Sequence, residues 1–534
     1  MSTINKITKE TIENRMKEKT KVVTNFMGGN SFEVNPIDTL KMITASSIFG
    51  EPAYYRDGIQ EGTKCIDKIF KSYDLFPEFE NKKTSEIMTE AIDNALDYDF
   101  METLKWAQTL REEFLMRLNP QIIMVRAAMH PKRVEFTSKN PGVFAEIQRK
   151  VMARGDESSS QLTYFLYENK SKNSCPNILK KTWSEHLGGL SRYELAKYKN
   201  ENIGLIDTIR ISHAHSEHIT DLLRDNIELE QNEKTWENLR SEGKTWKEIL
   251  ATTKVGHMAL LRNLRNIFKE EISTEDAKKI LKKLTSGVES GKQFPFRYQS
   301  AYEVICDSNI SHQTLVLDAL QECVEKSLVN LPKLQGKTMC LSDNSGSAWG
   351  TFNSEYGKQT VATIGNLSSV ITAKCSEEGY VGVFGDKLNI IPITKNDSVL
   401  TQSGKVNKEG KKVGASTENG IWIFFANAIK NKEHWDNIFI YSDMQAGHGG
   451  LYGINSKEYK DYRCRGFYID VMKLISKYRS TVNPKVNVFC IQTAGYNNVL
   501  VPEYAYRCNI LYGWTGKELK FADVMNKNWD NVEK

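Results

Sequence analysis

The sequence has no uninterrupted apolar run long enough to cross a bilayer, so no transmembrane helix is expected. Its start, Met1-Ser2-Thr3-Ile4-Asn5-Lys6, lacks the apolar core of a secretory signal. Its nine cysteines form no C-x-x-C pair, which argues against structural zinc; in an unexported chain they are expected to be buried, reduced thiols. The expectation is a cytoplasmic protein with no membrane partner. Charge of one sign is also scarce: the net charge is +5 over 534 residues, so a nucleic-acid partner requires that positive charge be clustered. What remains is ordinary for a soluble protein, 40% hydrophobic and 26% charged, and the length suits two or three domains.

Strand-type alternation is nearly missing from residues 1–335. Apolar residues recur there at three- and four-residue spacing, as in Phe100-Met101-Glu102-Thr103-Leu104-Lys105-Trp106-Ala107 and Ile280-Leu281-Lys282-Lys283-Leu284. Many helices joined by short loops imply an α-solenoid of stacked helix pairs, although no exact internal repeat is visible. Over residues 336–534 the pattern changes. Apolar runs at Thr338 to Asp343, Tyr380 to Phe384, Ile390 to Ile393, Asn437 to Ser442, Val486 to Thr493 and Asn509 to Tyr512 alternate with helical stretches. Such alternation predicts a doubly wound, Rossmann-like parallel sheet covered on both faces, with ligand sites at the carboxyl ends of its strands.

Asp343 and Asp443 both fall at such ends. In Asp343-Asn344-Ser345-Gly346-Ser347 one carboxylate and two hydroxyls share a tight loop, a hard-oxygen set suited to a divalent cation, Mg²⁺ first. No second acid follows as in D-x-D, so a Mg²⁺-dependent phosphohydrolase is disfavoured. The D-x-S-x-S pattern resembles the metal-ion-dependent adhesion site of von Willebrand factor A domains. That resemblance implies two more loops, from which Thr417, with Ser416 close behind, and Asp443 would join Asp343, Ser345 and Ser347. Taken alone, Thr417 reads equally as a helix N-cap and Asp443 as a turn former. With few carboxylates, the cation would be left for a partner's acid to complete, which is docking chemistry rather than hydrolysis.

A helical domain followed by an A domain resembles the Ro autoantigen family, RNA-binding proteins with a TROVE domain, in its bacterial form. His257-Met258-Ala259-Leu260-Leu261-Arg262-Asn263-Leu264-Arg265-Asn266 is similar to that family's Ala-Leu-Leu-Arg-Asn-Leu helix. Phe294-Pro295-Phe296-Arg297 looks like its Pro-Phe segment, Arg210-Ile211-Ser212-His213 like its Arg-x-Ser-His motif, and Gly513-Trp514-Thr515 like its closing turn. The resemblance implies a multidomain α plus α/β chain: a ring-like α-solenoid of HEAT-like repeats, then the A domain. It implies further that misfolded or structured RNAs place a single-stranded 3′ end in the central hole. Small Y-like RNAs would bind on the outer face, an exoribonuclease or other protein ligand would dock at the A-domain metal, and the chain would be a non-catalytic, monomeric scaffold.

The residues themselves support RNA. Between Leu190 and His218 the cations Arg192, Lys197, Lys199 and Arg210 interleave with Tyr193, Tyr198, His213, His215 and His218, pairing phosphate attraction with stacking surfaces. The resemblance assigns RNA contact to Lys197, Lys199, His213 and Arg210. Glu201 stands where the family often has a basic residue, a substitution expected to redirect Y RNA binding. The bland reading is an exposed amphipathic helix pair with solvated charges. The three histidines do not make a zinc site, since no acid or Cys completes a recognisable spacing. Arg262 and Arg265 either tie neighbouring repeats together or line the hole. The reading from a different class is a protein-docking adaptor that works through the A-domain metal without RNA.

Overall fold

The computed structural model describes residues 22–24, 30–32, 36–45, 84–169, 173–198, 204–225, 227, 229, 234–346, 348–349, 360–415, 419–442, 462, 471–492, 507–512 and 516–533. Helices follow one another from Pro36–Thr44 to Gln313–Ser327, with a small antiparallel pair, β1 (Val22–Thr24) and β2 (Asn30–Phe32), ahead of them. That pair departs from an all-helical amino-terminal half.

Local sequence explains the helices. In Phe100–Glu112 the Asp99 side chain accepts from the Glu102 amide as N-cap, and Phe100, Thr103, Leu104, Ala107 and Leu110 form the buried stripe. Ser216, Thr235, Thr245 and Ser273 cap later helices in the same way. Pairing runs in sequence: Phe100–Glu112 packs on Asn119–Met129 and Val143–Val151, and Pro295–Cys306 packs on Gln313–Ser327. A buried polar seam fixes the register of four helices. Trp183 Nε1 and Gln148 Nε2 both donate to Gln161 Oε1, at 2.7 and 2.5 Å, and Gln161 Nε2 donates to Gln121 Oε1 at 2.6 Å. A lost partner in such a seam leaves a buried amide unsatisfied, which costs about 1–3 kcal/mol.

The second half is a six-stranded sheet of β3 (Leu334–Asp343), β4 (Ser376–Phe384), β5 (Leu388–Pro392), β6 (Asn437–Ser442), β7 (Asn487–Gln492) and β8 (Cys508–Tyr512), in the order β5-β4-β3-β6-β7-β8. Neighbours from β4 across to β8 are parallel. The alternation predicts a parallel sheet, and one strand departs from it: β5 returns antiparallel to β4, with Phe384 opposite Leu388. Gly385, Asp386 and Lys387 leave room for a hairpin but not for a crossover helix. A helix absent from the sequence reading, Val399–Gly410, follows β5. β3 starts ahead of the expected Thr338: Gly336 and Lys337 lie within it, where the register with β4 shifts.

Helix Val361–Cys375 packs on β3, β4 and β6 and on Val399–Gly410, and nearly all of its residues are buried. A helix apolar on every side belongs inside, and this one also faces the helical half. Glu325 accepts from Lys374 Nζ at 2.7 Å and from the Val399 amide. The other end of the helical half reaches the same unit: Pro36–Thr44 packs on β8, and Lys520 Nζ of helix Glu518–Glu533 donates to the Glu113 carbonyl. The arc of helices thus touches the α/β unit at both ends, a ring-like α-solenoid with a doubly wound, A-domain-like sheet between its ends. Among the described residues no helix is long and apolar enough to cross a membrane.

Candidate metal loop and nucleic-acid interface

β3 lies inside the sheet with parallel neighbours on both sides, so Asp343 emerges at the carboxyl end between β4 and β6. Its side chain is held rather than free to swing. Oδ1 accepts from the Ser345 amide at 3.0 Å and Oδ2 from Ser442 Oγ at 2.6 Å. Asp343 and Ser345 are 1% and 0% exposed. The loop is tied by the Asn344 amide to the Phe384 carbonyl and by the Gly346 amide to the Ala415 carbonyl, both at 2.8 Å.

Beneath it lies a buried amide network that sequence reading missed. Ser342 Oγ and Asn344 Nδ2 donate to Asn366 Oδ1, and Asn366 Nδ2 donates to Asn344 Oδ1 and Asn407 Oδ1, all within 2.7–2.9 Å. Asn366 sits mid-helix, where no motif marks it. Ser442 was within reach of the sequence, because it directly precedes Asp443 at a strand end. The structure brings together Asp343, Ser345 and Ser442, an all-oxygen set compatible with a hard cation. Ser347, Ser416, Thr417 and Asp443 lie outside the described residues.

The basic-aromatic segment forms a core of its own, built from Leu187, Leu190, Leu195, Tyr198, Leu205, Ile209, Ala214, Ile219, Leu222 and Ile227. On helix Arg192–Tyr198, Lys197 is exposed, with its ammonium 5.7 Å from the Tyr193 ring centre and 5.5 Å from that of Tyr198. Arg192 pairs with Asp221 at 3.1 Å. Arg210 is exposed on helix Leu205–Ser212. His213 does not share its helical face: it is the C-cap, exposed, in the left-handed region with φ 55°. The helix ends at Ser212. Lys199 and Glu201 lie outside the described residues.

Arg262 and Arg265 are exposed, three residues apart on one face of helix His257–Ile267. Among the described residues neither makes an ion pair to a neighbouring repeat. The asparagines between them bond within their own helix, Asn263 to the Ala259 carbonyl and Asn266 to Asn263 Oδ1. Among the described residues Lys197, Arg210, Arg262 and Arg265 make no ion pair, whereas Arg111, Arg126 and Arg154 are each engaged by a carboxylate. Trp236 and Trp246 stack at 5.4 Å; Trp246 is buried and Trp236 half-buried.

Residues 225–344 match the model of the TROVE domain, covering the later helices of the arc and the first strand of the sheet. No curated protein matches the sequence. The crystal structure of the Deinococcus radiodurans Ro (RSR) protein superposes with a TM-score of 0.57 at 12% identity, covering 82% of this chain and 93% of that one. At that identity the likeness speaks to fold, and it spans both the helical arc and the sheet. Residues 225–344 thus match the TROVE domain, and the chain is similar in fold to a bacterial Ro.

Proposed function

We propose that this protein is a non-catalytic RNA-binding scaffold, with a helical arc that receives the single-stranded 3′ ends of misfolded or structured RNAs. The observation that carries the reading is that Arg262 and Arg265 stand exposed on one helix inside the TROVE match, without an ion pair among the described residues, with Lys197 and Arg210 exposed on the helices before it in a Ro-like fold. Solvated cations with no carboxylate partner keep their full charge for phosphates, and releasing the phosphates' counterions favours binding. Arg192, Tyr193 and Lys197, with Lys199 and His213, are the proposed outer contacts for a small Y-like RNA, where rings accept unpaired bases. The hole itself is assigned to Arg262 and Arg265. At the carboxyl edge of the sheet, Asp343 and Ser345, joined by Ser347, Thr417 and Asp443, would hold Mg²⁺. The ion would supply an open position for a carboxylate of a protein partner such as an exoribonuclease. The scaffold acts as a monomer in the cytoplasm.

Sequencing of the RNA that co-purifies with the tagged protein tests the reading. Enrichment of structured non-coding RNAs with unpaired 3′ ends, lost in the Arg262→Glu/Arg265→Glu variant, is the expected result. RNA no richer than in a mock purification would overturn it and favour an adaptor that works through Asp343 alone.

A further inference from the structure

The two ends of the helical arc meet the α/β unit in different ways. At the carboxyl end the chain itself runs on, from Leu331 into β3 at Leu334. Glu325 pairs there with Lys374 and accepts from the Val399 amide. The Phe296 ring lies so close to Gly516 that any Cβ at that glycine would overlap it. Covalent linkage and tight packing fix this joint.

The amino end of the arc has no peptide link to the sheet. Helix Pro36–Thr44 packs on β8, and Lys520 Nζ, from helix Glu518–Glu533, donates to the Glu113 carbonyl. Glu113 is the C-cap of helix Phe100–Glu112. The last carbonyls of a helix have no partner inside it, and a lysine from outside can supply one. The same ammonium stands 5.8 Å from the centre of the Phe294 ring. Phe294 is the N-cap of helix Pro295–Cys306, near the opposite end of the arc. One side chain of the α/β unit thus touches the first part of the arc and the last part at once.

Lys520 is half-buried, and burial pushes its ammonium below the ordinary lysine value. The charges around it are those of Glu113, Lys292 and Asp523, and Asp523 is engaged by Lys527. Helix Pro36–Thr44 belongs to the arc rather than to the sheet. It packs on Thr84–Tyr98, its Thr44 Oγ1 accepts from Trp106 Nε1 at 2.8 Å, and the Thr44 carbonyl accepts from Asn119 Nδ2 at 2.9 Å. The amino end of the arc can therefore move as one unit with its own core intact. Motions of this kind, in which packed units part at a lightly held contact, need no local unfolding.

We propose that the ring parts between Glu113 and Lys520 and so admits an RNA strand from the side. The inference rests on the reading that the arc holds unpaired RNA, and it goes further. A permanently closed ring takes a strand only from a free end, whereas a ring that parts takes an internal stretch as well. Lys520 is the clasp: it gives up one hydrogen bond and one ring contact, both replaceable by water, while the carboxyl-end joint acts as the hinge.

The test uses the full-length protein with Glu113→Cys and Lys520→Cys, in a Cys306→Ser background because Cys306 is an exposed thiol, joined by a short bismaleimide. The probes are a circular RNA carrying an unpaired stretch and the same RNA opened within that stretch to give a free 3′ end. Unlinked protein should bind both forms. Linking should leave the linear form bound and weaken the circle about tenfold or more. Lys520→Met, which removes the clasp without a linker, should associate with the circle faster than the native protein does. Native protein that binds the linear form but not the circle would overturn the proposal, and so would linked protein that holds the circle as tightly as unlinked protein. Native protein that binds neither form would overturn the RNA reading itself, and this proposal with it.

Discussion

Lys374 Nζ and Glu325 Oε2 lie 2.7 Å apart, and this pair joins the last long helix of the arc to the helix packed behind β3. The Lys374 side chain is 4% exposed, so the charge is desolvated on one side of the joint. Removing one partner of a buried pair costs about 3–5 kcal/mol. Lys374 also donates to the Asp397 carbonyl, which places Glu325→Ala near 3 kcal/mol at the lower end of that range. Urea unfolding checks this: a lower midpoint is expected, and Glu325→Gln should recover part of it, because the glutamine keeps an acceptor.

Mg²⁺ should stabilise the folded chain through the loop at Asp343. Linkage gives about 2.7 kcal/mol at a hundredfold excess over the dissociation constant. A melting temperature that rises with Mg²⁺ in the native protein and not in Asp343→Ala is the expected outcome of thermal denaturation with and without EDTA. In a pull-down, Asp343→Ala should also lose the protein partner while RNA stays bound.

Two glycines of one helix separate packing from propensity. A methyl group at Gly410 would overlap Asn344 Oδ1, whereas at Gly404 it would meet nothing within 4 Å. Gly410→Ala should break the Asn344–Asn366 amide exchange and weaken Mg²⁺ binding measured by calorimetry. Gly404→Ala should leave the metal alone and stabilise the helix by about 0.5–1 kcal/mol.

Acid should destabilise the fold through two histidines. His186 Nε2 donates to the Arg154 carbonyl at 3.0 Å, and His257 Nε2 lies 2.6 Å from the Tyr298 hydroxyl. Burial holds both imidazoles below the usual value of 6.5. The unfolded chain therefore binds more protons than the folded one just below that value. Their contribution is complete above pH 6.5 and is lost as pH falls toward the folded-state values. Melting temperature against pH should decline on the acid side of this window, with a shallower slope in the His186→Gln/His257→Gln double variant.

The sheet was readable because its central strands are apolar: Phe439, Ile440 and Tyr441 admit no solvent face, and strands β3 to β8 fall within a few residues of their expected places. Helix Val399–Gly410 was not readable, since Ser403, Gly404, Asn407 and Gly410 carry little helical propensity and its stability comes from packing on Val361–Cys375. The antiparallel turn of β5 was hidden because Ile390 to Ile393 reads as a strand of either direction. At the metal loop Asp343 and Ser345 were legible as a motif. The asparagines beneath them were not, because Asn366 and Asn407 come together only in the fold. For RNA, the composition of the 190–218 segment was legible, but the cap geometry of His213 depends on where the helix stops.

In the proposed function the arc grips a lone RNA strand through solvated cations. Filter binding of a stem-loop RNA, with and without a single-stranded 3′ tail, titrated with salt, tests it most directly. The tailed RNA should bind more tightly, with log K falling linearly in log salt, and Arg262→Ala/Arg265→Ala should lower the slope by about one to two. Equal affinity for blunt and tailed RNA, or a slope unchanged in the double variant, would contradict the account.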